Sequence, residues 1–294
     1  FCVLLGFFAA KPRRFSARGF AEYTVKRYVQ FSLFLLVSGV VYVLGAYCVT
    51  WLFHTPDEYA HRVISDGFRY NLIYILRDAF LFEANYNVTM WSMQQFFIAS
   101  IICYLLGCVI YRVKPVTALL ITAAAVALFL LPRSEYLSWI AFCVMGVFVR
   151  LYAENAKHFR FLDRRGARIS LALLAWFLFK FPMPECTFVF FLMAAASILL
   201  LVVCFRSSAA QRVLGQAPLP ALGKLAFGVY VVHTPINSLL QSSLQPIAAG
   251  ALPAFIVTPL CFVFTICTAT GCAWLLDRLH RRTAGLLFRE KLAV

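Results

Sequence analysis

The chain has 294 residues, 63% hydrophobic and 13% charged, with a mean hydropathy of +0.83. One soluble core cannot bury that much apolar surface, so the composition excludes a soluble enzyme, a secreted disulfide scaffold and a disordered linker. Long apolar runs, in place of short alternating segments, predict an all-α, polytopic helical membrane protein. The formal charge of +15 follows from 27 Lys and Arg against 12 Asp and Glu. Cytoplasmic loops of membrane proteins collect such charge, and no basic face on a soluble domain is available to bind nucleic acid. The ten Cys lie almost all inside apolar runs without CxxC pairs or Cys/His clusters, so they read as small hydrophobes and no metal is expected.

In chain order, residues 1–9 come first, an apolar stretch about 14 Å long as a helix, or half a span. With no initiating Met and no signal-peptide n-region, the chain is expected to begin in mid-helix, after at least one earlier span. Eight apolar segments follow at 31–53, 91–111, 116–132, 136–149, 167–184, 186–205, 221–241 and 251–276. Most reach the roughly 17–25 residues that cross a bilayer. Pro132 to Glu135 reads as a tight turn between two short spans, and 167–184 is the weakest segment because Lys180, Pro182 and Pro184 crowd its end. Eight full spans with a cytoplasmic C-terminus place 22 of the 27 basic residues in inner loops, and the opposite orientation inverts that bias.

The one large outer region is 54–90, where Phe68, Leu72, Ile75, Leu76 and Phe80 are expected on one helical face. An interfacial helix and a simple packed loop helix both fit that pattern. No internal repeat and no inverted pair of broken helices is visible.

Polar groups inside lipid are costly and few here. His233, in a run from Gly228 to Pro235 that holds Tyr230, is either a proton carrier or a histidine bonded to a neighbouring helix beside a proline kink. Trp91-Ser92-Met93-Gln94-Gln95 opens another span; the Trp suits an interface anchor, but two amides entering the membrane need a further reason. Lys26 and Arg27 stand at the mouth of the first full span, where they suit either a phosphate or the ordinary inner-loop bias. GxSxG, HExxH, GxxxxGK[ST] and GxGxxG are absent, and the sequon Asn87-Val88-Thr89 carries little weight.

Four stretches, in order, resemble motifs of the acyltransferase-3 family, ten-span membrane enzymes that O-acylate carbohydrates. Leu4 to Phe8 is similar to FFxLSGF, with Leu5 where Ser is usual. Tyr23 to Gln30 is similar to K-R-x-x-R, keeping Arg27 but with Gln30 at the second Arg. Asn87 to Ser100 is similar to N-x-x-x-W-[ST]-M-x-x-E-x-x-x-S, with Phe96 at the Glu. Leu222 to Pro235 resembles LGxxSFxxYLxHxP, the most specific of the four.

The resemblance implies one integral membrane domain over 1–294, incomplete at its N-terminus. It implies an acyltransferase that takes an acyl group, usually acetyl, from cytoplasmic acyl-CoA to a sugar hydroxyl, with no tightly bound cofactor and the plasma membrane as its site. The family's essential histidine lies in its first span, so no catalytic residue is certain within this sequence. Arg27 and Lys26 are then the expected CoA contacts, and Trp91, Gln95, Tyr230 and His233 are candidates to line the cavity. The alternative is a non-catalytic relative serving as a polysaccharide carrier or membrane assembly partner.

Overall fold

The computed structural model describes residues 2–53, 58–81, 83, 85, 91–132, 134–155, 164–180, 187–217, 219–251 and 254–287. Among these residues there are helices and no strand. In chain order they are α1 (Cys2–Ala9), α2 (Ala17–Phe53), α3 (Glu58–Leu81), α4 (Trp91–Ile110), α5 (Pro115–Leu130) and α6 (Glu135–Glu154). There follow α7 (Arg165–Lys180), α8 (Thr187–Arg206), α9 (Ser208–Leu214), α10 (Leu219–Ala251) and α11 (Ala254–Leu287).

Each of the eight apolar segments lies largely within a helix. Among the described residues, four stretches are long and apolar enough to cross a membrane: Ala17–Cys48, Ser92–Ile110, Tyr136–Glu154 and Ile256–Leu279. A fifth follows if Phe191–Arg206 and Ser208–Leu214, bent by 94°, form one span. Three other helices fall outside this measure. Helices α5 and α7 have 16 residues each, about 24 Å of rise. Helix α10 is long enough, but Asn237, Gln241, Ser242, Ser243 and Gln245 dilute its apolar character.

The chain forms two compact units, each assembled from separated stretches. The first comprises Phe1–Thr24 and Gln94–Gln216. Here α1 lies against α6 with backbone nearly touching backbone. A Cβ on Gly6 would fall 1.7 Å from the Cys143 carbonyl oxygen, and one on Gly146 would fall 2.0 Å from that of Val3. Small residues permit this approach, which is how apolar helices gain packing where lipid offers no hydrophobic drive. Helices α5 and α8 also flank α6, and α7 covers α8. Arg150 ion-pairs with Glu154 and holds its guanidinium 5.4 Å from the Phe7 ring.

The second unit comprises Val25–Met93 and Ala217–Val294. Aromatic side chains join two of its helices. Phe31 stacks on Phe227 at 4.9 Å and Phe34 meets the same ring at 5.2 Å, which joins α2 to α10. Helix α11 packs along α10, where Gly228 leaves room for Ala273 and the Phe34 ring.

Helix α3 packs on α2 through Val63 and Ile75 against Tyr42, Val43 and Ala46. It turns a corner at Gly67, whose φ of 71° suits a residue without a Cβ. The Asn71 amide reaches back across the corner to the Val63 carbonyl at 2.7 Å. The expected apolar face needs one correction. Phe68, Leu72, Leu76 and Phe80 are exposed together, but Ile75 is buried with Asn71 and Ala79. The helix therefore has both a packed face and an uncovered apolar one.

Candidate functional site

The polar candidates of the second unit gather where α2, the start of α4 and α10 meet. Pro235, inside α10, has no N–H to give to the carbonyl of Val231, four residues earlier. Ser38 of α2 donates its hydroxyl to that carbonyl at 3.3 Å, from a fully buried position. The proline thus opens a backbone acceptor, and a second helix supplies the donor.

Two residues beyond Val231, His233 Nδ1 lies 2.7 Å from the carbonyl oxygen of Tyr230. A carbonyl can only accept, so Nδ1 carries the hydrogen and the neutral ring keeps its lone pair on Nε2. Thr234 Oγ1 sits 3.3 Å from that nitrogen, in position to donate to it. The Tyr230 hydroxyl shares a 3.1 Å hydrogen bond with Ser92 Oγ, tying α10 to the first turn of α4. A ring with a fixed tautomer and a basic nitrogen facing a hydroxyl can accept a proton from one.

Arg27, half-buried on α2, donates to Gln30 Oε1 at 3.1 Å. Gln30 therefore does not repeat a guanidinium; it orients the one that is present. Lys26 is exposed beside it. Phe31 follows Arg27 by four residues and stacks on Phe227, which precedes His233 by six. The Phe31–Phe227 stack and the Ser38–Val231 bond show that the two helices run in the same direction, which puts His233 about 15–20 Å beyond Arg27 along their axes.

Not every candidate joins this group. Trp91 opens α4, but its side chain lies outside the described residues. Gln95 and Phe96 fall in the first unit. Gln95 is buried, and its amide oxygen finds no hydrogen-bond partner among the described residues. Phe96, 2% exposed, puts an apolar ring at the position of the expected carboxylate. Ser100 turns its hydroxyl back onto the Phe97 carbonyl at 2.8 Å, while its own carbonyl accepts from Tyr23. Sequence reasoning passed over Ser38 and Thr234. Pro235 was the signal for Ser38, because a proline inside a helix leaves a carbonyl in want of a donor. Among the described residues, no group of three or more His, Cys, Asp or Glu could hold a metal ion.

Compared with known proteins, the chain matches the family model described as an acyltransferase domain over residues 1–278. No curated protein and no solved structure matches it. The match takes in the whole His233 run, the Arg27 stretch and the start of α4, and the chain belongs to the acyltransferase-3 family.

Proposed function

We propose that this multi-pass membrane acyltransferase moves an acyl group, of the acetyl class, from acyl-CoA to a carbohydrate hydroxyl of a surface polysaccharide or glycolipid. The observation that carries the reading is the axial pairing of Arg27 with His233. A guanidinium held by Gln30 can grip a phosphate, and a basic nitrogen lies about 15–20 Å further along the helices, a distance an extended thioester arm bridges. The acceptor hydroxyl gives its proton to a histidine, its oxygen forms the new ester bond at the thioester carbonyl, and the CoA thiolate leaves with a proton. Family resemblance assigns that first proton transfer to the histidine of the family's first span. His233 and Tyr230 then line the path, with Lys26 beside Arg27 at its mouth. The reading includes eight spans, a plasma-membrane location, a cytoplasmic C-terminus and an outer 54–90 region.

A second reading has one observation in its favour. Phe96 buries an aromatic ring where the family motif carries Glu, and phenylalanine cannot exchange a proton. On that reading the scaffold serves without catalysis, as a carrier or assembly partner. The test uses membranes bearing the protein and isotope-labelled acetyl-CoA, with label followed into carbohydrate. The transfer reading expects labelled ester, a KM for the donor raised about tenfold by Arg27→Ala, and partial rescue by Arg27→Lys. Absence of label in any carbohydrate fraction favours the non-catalytic reading.

A further inference from the structure

A cavity of about 500 Å³ lies in the first unit between α5 and α6, and none of the family motifs touches it. Its size suits a small-molecule or lipid-chain site, for which about 300–1,000 Å³ is usual. Val116, Leu119, Phe148 and Leu151 make its apolar wall. Val116 is 69% exposed and Leu119 48%, so the cavity opens sideways along α5.

One end of the cavity is different. Helices α5 and α6 are consecutive and packed together, and the start of α5 lies beside the end of α6 at Lys114, Tyr152 and Asn155. Lys114, the N-cap of α5, is exposed, makes no side-chain cap and has no ion-pair partner among the described residues. Tyr152 accepts a 2.5 Å hydrogen bond from Arg206 Nε, which brings a guanidinium to the cavity wall. The Arg206 carbonyl in turn accepts from Arg168 at 2.7 Å, so a third cation closes in behind it. The nearby carboxylate, Glu154, is already ion-paired with Arg150. Asn155 gives its amide hydrogen to the Leu151 carbonyl and so covers the negative end of α6.

An apolar cavity open to the side and capped by cations at one end has the chemistry of an anionic amphiphile. We propose that it binds one anionic phospholipid, with an acyl chain along Val116, Leu119 and Phe148 and the headgroup phosphate at Lys114. The 112–115 loop belongs to the basic set of loops, on the side where anionic headgroups concentrate.

The experiment is native mass spectrometry of the full chain released from mixed bilayers of phosphatidylglycerol and phosphatidylcholine with identical acyl chains. One phosphatidylglycerol per chain should persist through graded delipidation, in preference to phosphatidylcholine. Lys114→Ala should lower retention of phosphatidylglycerol about fivefold and leave phosphatidylcholine unchanged. Leu119→Trp, which fills the cavity, should lower retention of both lipids. Arg165→Ala, which removes an exposed cation outside the cavity, should change neither. Equal retention of the two lipids by the unmodified chain, or an unaltered Lys114→Ala variant, overturns the proposal. So does displacement by inorganic phosphate alone, which marks a free-anion site, or preferential retention of palmitoyl-CoA, which assigns the cavity to a donor. None of these readouts depends on acyl transfer, so this proposal and the proposed activity can fail separately.

Discussion

The two compact units solve the same packing problem with different materials. In the first, Gly6 and Gly146 let α1 and α6 approach until backbone meets backbone. In the second, α2 and α10 are joined by the rings of Phe31, Phe34 and Phe227 and by the Ser38 hydroxyl. A glycine crossing tolerates almost no change, because the neighbouring atoms cannot move aside. A contact made of side chains and hydrogen bonds degrades in smaller steps. The difference teaches that the candidate chemistry, with His233, Tyr230 and Ser92, sits where side chains can be exchanged without loss of the fold.

Substitutions can break that contrast, and the largest effect belongs to the glycine crossing. Gly146→Leu forces side-chain atoms into the α1 backbone and is expected to cost about 3 kcal/mol or more, seen as loss of the folded species in detergent thermal melts. Next comes His233→Ala, which should leave the melt nearly unchanged and lower acyl transfer at least tenfold in kcat/KM. Unchanged turnover in that folded variant would return His233 to a purely structural role. Ser38→Ala removes the donor to the Val231 carbonyl beside Pro235 and should cost about 1 kcal/mol, a shift of a few degrees in Tm. Two-sided loss, in stability and in activity together, would show that the carbonyl also sets the geometry of His233.

The smallest effect is a pH response outside the apolar segments. Arg77 hydrogen-bonds both oxygens of Glu83, Asn85 adds a third contact, and together they hold that carboxyl below its ordinary value. A depressed folded pKa stabilises in full above the ordinary Glu value of about 4.3 and is lost as pH falls through the folded value. Thermal melts across that acid range should show a shallow decline, which Glu83→Gln should flatten. An equally steep decline in the variant would mean that other carboxylates dominate.

Much of the helical plan was legible because apolar run length is a local property. All eight segments became helices, and the break at Pro132 separates α5 from α6. Crossing number was harder, since the amides and hydroxyls of Asn237 to Gln245 continue α10 as helix without making it apolar. The face of α3 was misread at Ile75 for a related reason. Residues 72, 75 and 76 share a helical face by spacing, but Tyr42, Val43 and Ala46 choose which edge of that face is covered. Within the site, His233 and Arg27 stood out as polar groups in apolar surroundings. Gln30 did not, because a departure from a motif says what is lost and not what the new side chain holds. The α5–α6 cavity has no signature along the chain, since it arises from residues more than thirty positions apart, Lys114 and Tyr152 among them.

The corner in α3 leans on a residue that comes earlier in the chain. Asn71 binds the Val63 carbonyl across Gly67, and the same amide lies 3.4 Å from the Tyr47 hydroxyl on α2. A bend secured by a neighbour cannot be secured before that neighbour is in place. During synthesis the ribosome delivers α2 ahead of α3, so the template precedes the part that folds against it. A circularly permuted chain that presented α3 first would have to hold this corner open until α2 arrived.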